Sequence, residues 1–295
     1  MNNLRPTTLN DLIGQTKIIR MLRIMIASAK SRSDALPHML FNGPPGLGKT
    51  TLSQAIANDM DVGIQIANGG AVNTIEKITP YIMRIEKGDV LFIDEIHRIS
   101  NAVSEFLYPV MEDFRCDIGG KERKISHDVP IFTLVGATTE AGSLEPPLYD
   151  RFVAQFQLEP YDVDELTELL MMNAPKLSLA ANKQALNEIA KRGRGTPRIA
   201  NNLLRWVRDY CTAHNKPLNA NVVGLAMDLK GIDDAGMTPK DRKYLEVLNS
   251  VQKPLGLNTI ISMTGIDKQT IEGIIEPFLL RKKMILKTSK GRVAI

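Results

Sequence analysis

The sequence predicts an α/β fold: a mostly parallel sheet with helices, then an all-helical region, then a helix-turn-helix followed by a hairpin. Three observations lead there. In the first half, short apolar runs that end in Gly, Pro or acidic residues alternate with segments of helical apolar spacing, as crossover units between parallel strands require. Over residues 163–229 helical patterns dominate and no strand candidate occurs. After KGIDDAGM (230–237), whose Gly and Asp content is that of a linker, come two short helical patterns and a β-rich end.

The elements follow in order. Residues 18–29 have helical apolar spacing, and HMLFN (38–42) is a buried strand that ends in a Gly/Pro turn. Residues 50–60 are helical, and DVLFID (89–94) is an apolar strand that ends in acids. Residues 102–114 are helical again, and PIFTLVGATT (130–139) and FVAQFQL (152–158) are further buried strands. KRGRGTPR (191–198) interrupts the helices of the second region. NTIISMTG (258–265) is a short helix that closes on glycine. A second helix begins near Asp267, with Ile271, Ile274, Ile275 and Phe278 on a core face and with Pro277 expected to end or bend it. MILKT (284–288), a turn SKGR and VAI (293–295) make the hairpin. The expected domains are 1–158, 159–229 and 230–295.

A chain of 295 residues that is 43% hydrophobic has enough apolar material for two or three domains. Its two cysteines, Cys116 and Cys211, lack metal-type spacing and suggest a reduced compartment. The polar start and the lack of a run of about 20 apolar residues argue against a signal peptide and a membrane helix, and fit a cytoplasmic protein.

GPPGLGKT (43–50) matches G-x-x-x-x-G-K-[ST] between a strand and a helix, the context a phosphate-binding loop needs. Gly43, Pro44, Pro45, Gly46, Leu47 and Gly48 would wrap backbone N–H groups around phosphate oxygens, next to the positive end of the following helix. Lys49 would reach the β- and γ-phosphates, Thr50 would ligate Mg²⁺, and Thr51 is counted with the nucleotide contacts. LFIDE (91–95) strengthens this: Asp94 would help hold Mg²⁺, and Glu95 would polarise the attacking water. ATP and Mg²⁺ are therefore the expected cofactors. Charge that develops on the γ-phosphoryl group calls for a cation. Arg151 and Arg198 are both candidates, and from sequence alone each could equally be a surface arginine. His97 could contact the site, but a histidine at a helix start is more often structural.

GPPGLGKTTL, GDVLFIDEIHR, EFLYPVMEDF, FTLVGATT, PLYDRF, RGTPRIANNLLRWVRD and TIEGIIEPFL occur in one order along the chain. Together they closely resemble the RuvB family of AAA+ Holliday-junction branch-migration motors, over nearly all of residues 4–294. The resemblance implies an AAA+ αβα ATPase domain, a helical lid and a winged-helix DNA-binding domain. It also implies a homo-hexameric ring with ATP between subunits. In that frame Arg151 matches the arginine finger acting in trans, and Arg198 the sensor arginine of the lid. Thr139, with Thr138, matches the polar sensor. Arg5, Ile13, Gly14 and Tyr161 fall among the nucleotide contacts. Glu140, Tyr149 and Lys283 depart from the family pattern, the last standing where a glycine is usual. DIGGKERKISHDVP (117–130) is shorter and more polar than the family's hairpin, which docks a RuvA-type junction-binding partner, so that partner is left open.

Residues 229–295 hold 12 basic and 7 acidic side chains, a net +5 against +4 for the whole chain, so the positive excess lies in the last region. That asymmetry suits a module that contacts phosphates without reading sequence. Lys287, Lys290 and Arg292 are the expected DNA contacts, the last two matching the family's DNA-contacting wing. A function from another class stays open beside the motor: an AAA+ ATP switch that loads clamps or helicases in replication. A protein-remodelling ATPase fits the basic C-terminal region poorly.

Overall fold

Five parallel strands form the central sheet, in the spatial order Ile64–Asn68, Val90–Asp94, Thr133–Thr138, Met39–Asn42 and Ala154–Gln157. A computed structural model describes residues 4–120, 123–251 and 253–295. The chain divides into two units, Met1–Tyr161 and Asp162–Ile295. In the first, α1 (Thr16–Arg32) precedes β1 (Met39–Asn42), and α2 (Lys49–Met60) leads to β2 (Ile64–Asn68). Then come α3 (Ile75–Ile82), β3 (Val90–Asp94) and α4 (Asn101–Glu112). A hairpin of β4 (Arg115–Gly120) and β5 (Arg123–Asp128) leads to β6 (Thr133–Thr138), α5 (Pro146–Asp150) and β7 (Ala154–Gln157).

The apolar runs decide which strands are central. All of β6 and the first four residues of β3 are buried, and Leu91, Ile93 and Leu134 pack with Val103, Phe106, Leu107 and Val110 of α4. Burying each such side chain contributes roughly 1.5–3 kcal/mol. Behind β1, the His38 Nδ1 accepts the Leu134 N–H at 2.8 Å, which leaves Nε2–H to donate to the Met111 carbonyl at 3.0 Å. Burial lowers the His38 pKa, so this neutral tautomer ties α4 to the sheet.

The second unit starts with α6 (Val163–Asn173), α7 (Lys183–Lys191), α8 (Pro197–Ala213) and α9 (Ala220–Leu229), all helical as the sequence predicts. Then follow α10 (Pro239–Ser250), α11 (Leu257–Thr264), α12 (Lys268–Thr270), a π-helical turn at Ile271–Ile275 and α13 (Glu276–Arg281). The hairpin of β8 (Ile285–Thr288) and β9 (Gly291–Ala294) closes the chain. A bridge from Leu255 to Arg292 adds a third short strand to it. Gly291 permits this close approach, because a Cβ there would lie 2.4 Å from the Leu255 carbonyl oxygen.

Of the two alternatives for Pro277, ending the helix does not occur; the chain continues to Arg281. The wide turn just before Pro277 reorganises the carbonyls that a missing N–H would have left unpaired. That turn also shifts the helical phase, so Ile274 is 59% exposed while Ile271, Ile275 and Phe278 are buried. The tip of the first hairpin, Lys121 and Glu122, lies outside the described residues. Below it Ile125 is exposed, an apolar group on an arm expected to be polar. Among the described residues no helix is long and apolar enough to cross a membrane.

Candidate nucleotide site and nucleic-acid interface

The phosphate-type loop leaves β1 through Gly43, whose φ of +146° and close approach to Leu158 exclude a side chain. Gly46 and Gly48 also adopt positive φ, and Leu47 is buried as an anchor. Pro44 and Pro45 form the outer rim, with Pro45 exposed. Lys49 opens α2, is itself buried, and donates to the carbonyls of Gly43 at 2.6 Å and Pro44 at 3.1 Å. Its ammonium therefore lies inside the loop. Thr50 and Thr51 sit half-buried in the same helical turn.

Asp94 ends β3 beside Asn68 of β2, and Glu95 turns the chain with φ +53°. A left-handed non-glycine residue is uncommon and marks a constrained position. Gly69 explains the constraint: its N–H donates to the Asp94 carbonyl at 2.7 Å, and a Cβ on it would meet the Glu95 carbonyl oxygen at 2.3 Å. Of the two threonines expected at the sensor position, Thr138 is fully buried and carries the side-chain contacts, while Thr139 is half-buried just past the strand. The Thr138 carbonyl accepts the Gly43 N–H at 3.1 Å, and its hydroxyl lies 2.9 Å from Nδ1 of His97. The other nitrogen of His97 lies 3.4 Å from the Glu95 carboxylate. Sequence reading undervalued His97 because its partner is 41 residues away.

The segment expected to line the base pocket is strapped to its own unit. Asn58 donates to the Thr7 carbonyl at 2.7 Å, and Leu9 N–H donates to Asp59 at 3.1 Å. The Gln15 amide donates to the Glu159 carbonyl at 2.6 Å. Gly14, with φ +73°, lies against the Tyr161 ring, where a Cβ would come within 2.4 Å. Gly14 and Tyr161 are thus brought together. Ile13 is half-buried beside them, and Arg5 is exposed.

Arg151 caps α5 and turns onto α4. It donates to Pro147 O at 2.6 Å and to Glu112 at 2.8 Å, and its guanidinium lies 4.3 Å from the Tyr108 ring centroid. Arg198 belongs to the second unit and is exposed in the first turn of α8, after Pro197 at N1. The same KRGRGTPR segment also supplies a joint. Arg194, at φ +54°, pairs with the buried Asp241 carboxylate, donates to Gly236 O at 2.8 Å and lies 4.1 Å from the Phe278 ring centroid. Arg192 pairs with Glu188 and Asp234.

The three expected DNA contacts differ in surroundings. Glu276 is fully buried and receives Lys287 at 2.5 Å, Arg292 Nε at 2.8 Å and the Tyr244 hydroxyl at 2.9 Å. Burial raises the Glu276 pKa, but the hydrogen bonds from Arg292, Lys287 and Tyr244 outweigh it and hold the carboxyl below the usual range. Arg292 also reaches Glu272 at 3.3 Å. Lys290 is exposed at the turn, whose shape is fixed by Thr288 donating to Gly291 O at 2.9 Å. Two of the three cations therefore compensate an internal carboxylate, and Lys290 alone of the three projects without an ion pair among the described residues.

The comparisons with known proteins agree with this layout. The Holliday junction DNA helicase RuvB P-loop domain matches residues 4–158, the RuvB AAA lid domain 161–233 and the RuvB C-terminal winged helix domain 234–294. The Holliday junction branch migration complex subunit RuvB of Campylobacter hominis is 46% identical over 297 residues, covering 99% of this chain and 87% of the relative. The same subunit of Helicobacter pylori is 44% identical over 298 residues, covering 99% and 89%. The solved Thermotoga maritima RuvB Holliday junction branch migration motor superposes with a TM-score of 0.88 at 38% identity, covering 99% of this chain and 95% of that one.

Proposed function

Because this chain belongs to the RuvB family of P-loop ATPases, we propose that it is an ATP-driven motor that migrates four-way DNA junctions. The observation that carries the reading is one node. Thr138 holds the phosphate loop through its carbonyl, and its hydroxyl reaches the acid pair through His97. Such a node sets the loop that binds phosphates against the carboxylate that activates water.

Lys49 is assigned to the β- and γ-phosphates, and Glu95 to the water that attacks the γ-phosphorus. The Thr50 hydroxyl and the Asp94 carboxylate are hard oxygen donors that suit Mg²⁺, which when bound would neutralise phosphate charge. Arg5, Ile13, Gly14 and Tyr161 are assigned to the base side of the nucleotide, and Thr139 to the polar sensor position. Arg151 is assigned to the nucleotide of a neighbouring subunit in a hexameric ring, and Arg198 to the γ-phosphate of its own. The domains are read as 1–158, 159–229 and 230–295, with the last carrying duplex DNA through backbone phosphates in the cytoplasm.

The test is ATP hydrolysis and strand exchange on a synthetic four-way junction. The motor predicts steady unwinding that depends on ATP, and Arg151→Ala should lose about 10³-fold or more in turnover while still binding ATP. Nucleotide-dependent DNA binding without unwinding would instead favour a loader. Adding a RuvA protein to the same assay reports whether the β4–β5 hairpin docks one.

A further inference from the structure

We propose that His97 is a positioning residue for ATP hydrolysis: its imidazole aligns the Glu95 carboxylate and couples it, through Thr138, to the phosphate loop. The proposal rests on the assignment of Glu95 to water activation.

Four features support it. Among the described residues His97 lies within ion-pair distance of the Glu95 carboxylate, which is about one-third exposed. The backbone below it is fixed, since Glu95 is left-handed and Gly69 presses on its carbonyl. The imidazole contact is therefore a lever on where the carboxylate points. His97 itself is held in place by its neighbour: Ile96 is fully buried in the core against β6, and the short turn Ile96–Arg98 cannot swing without exposing it. Finally, Thr138 favours one tautomer. Its hydroxyl oxygen accepts the Glu140 N–H at 2.9 Å, so its own hydrogen is available to Nδ1 of His97. In that tautomer Nδ1 accepts, and Nε2–H donates toward Glu95.

The chain of contacts runs from the Gly43 N–H through the Thr138 carbonyl, the Thr138 hydroxyl and His97 to Glu95. A shift of the phosphate loop on binding ATP would move the end of β6 and, with it, the imidazole. The carboxylate would thus be aligned when phosphate fills the loop, and misplacement of a reacting group by about 1 Å can cost roughly a hundredfold in rate.

The experiment measures steady-state ATPase kinetics and fluorescent ATP binding for His97→Ala, His97→Gln, Glu95→Gln and the Glu95→Gln/His97→Ala pair. The proposal predicts that His97→Ala lowers kcat by about a hundredfold with KM and ATP affinity within about twofold of the parent. His97→Gln, whose amide N–H can still reach Glu95, should recover part of kcat. In the Glu95→Gln background the His97 substitution should add no further loss, since residues acting as one unit are non-additive. An unchanged kcat in both His97 variants overturns the proposal. So does a loss confined to ATP affinity or melting temperature, which would make His97 a structural residue. If Glu95→Gln itself keeps full turnover, the assignment of Glu95 fails first, and that result is separate from any outcome at His97.

Discussion

The phosphate-type loop and the C-terminal wing both carry cations proposed to meet phosphates, yet they are built in opposite ways. In the loop the cation is buried and rests on carbonyls. Lys49 sits on Gly43 and Pro44, and the shape around it comes from glycine backbone. In the wing two cations are held by a buried carboxylate, Glu276, and one stands outside. A loop that binds by backbone can be read from its glycines. A wing that binds by side chains cannot be read from its charge, because part of that charge is spent balancing the interior.

The largest test of this contrast is Glu276→Ala. Removing the buried partner of Lys287 and Arg292 should destabilise the C-terminal fold by about 3–5 kcal/mol, seen as a lower melting temperature with little change in ATP affinity. The same group gives a pH signature. Its folded pKa lies below its ordinary value of 4.5, so its contribution is fully present above that value and fades as pH falls through the folded one. Denaturant titrations should therefore show the acid loss of stability in the parent and not in Glu276→Gln.

Next is Lys49→Ala, which should lower turnover by about 10²–10³-fold while DNA affinity without nucleotide is unchanged; a parallel fall in DNA affinity would break the separation of the two regions. A smaller effect sharpens the wing. Lys290→Ala should reduce the slope of log affinity against log salt by about 0.9, and Lys287→Ala by clearly less. Equal slopes would mean that the Lys287–Glu276 pair opens when DNA binds. The smallest effect is at Lys283, a lysine at φ +55° where the family resemblance expects glycine. Lys283→Gly should raise stability by about 1 kcal/mol, measured by thermal unfolding.

Much of the sheet was legible because β1, β3 and β6 are largely apolar runs that end in Asn, Asp or Thr. β2 was not, since IQIAN is short, alternating and only partly buried at the sheet edge. α3 was hidden by Pro80 near its end. Ile274 was misplaced because helical spacing assumes an uninterrupted α-helix, and the turn before Pro277 is wider. Lys49, Asp94 and Glu95 could be named from local pattern. The contacts of His97 with Thr138, and of Glu276 with Lys287 and Arg292, join positions far apart in sequence and needed the fold. A carboxylate set between the buried Ile275 and Phe278 was the one local sign that Glu276 required partners.

The pairing of Arg194 with Asp241 has a mechanical consequence. Both groups are nearly sealed from solvent, and Asp241 also closes the first turn of α10 by accepting from the Thr238 N–H at 2.6 Å. Drawing such charges apart leaves each without compensation in a medium of low polarity, so the restoring force is steep from the first fraction of an ångström. The joint is stiff. A torque applied at Arg198, four residues further along the same segment, would reach α10 with little loss to elastic give. The α7–α8 corner is thus tied to α10 as one stiff piece, and any compliance must be found elsewhere along the chain.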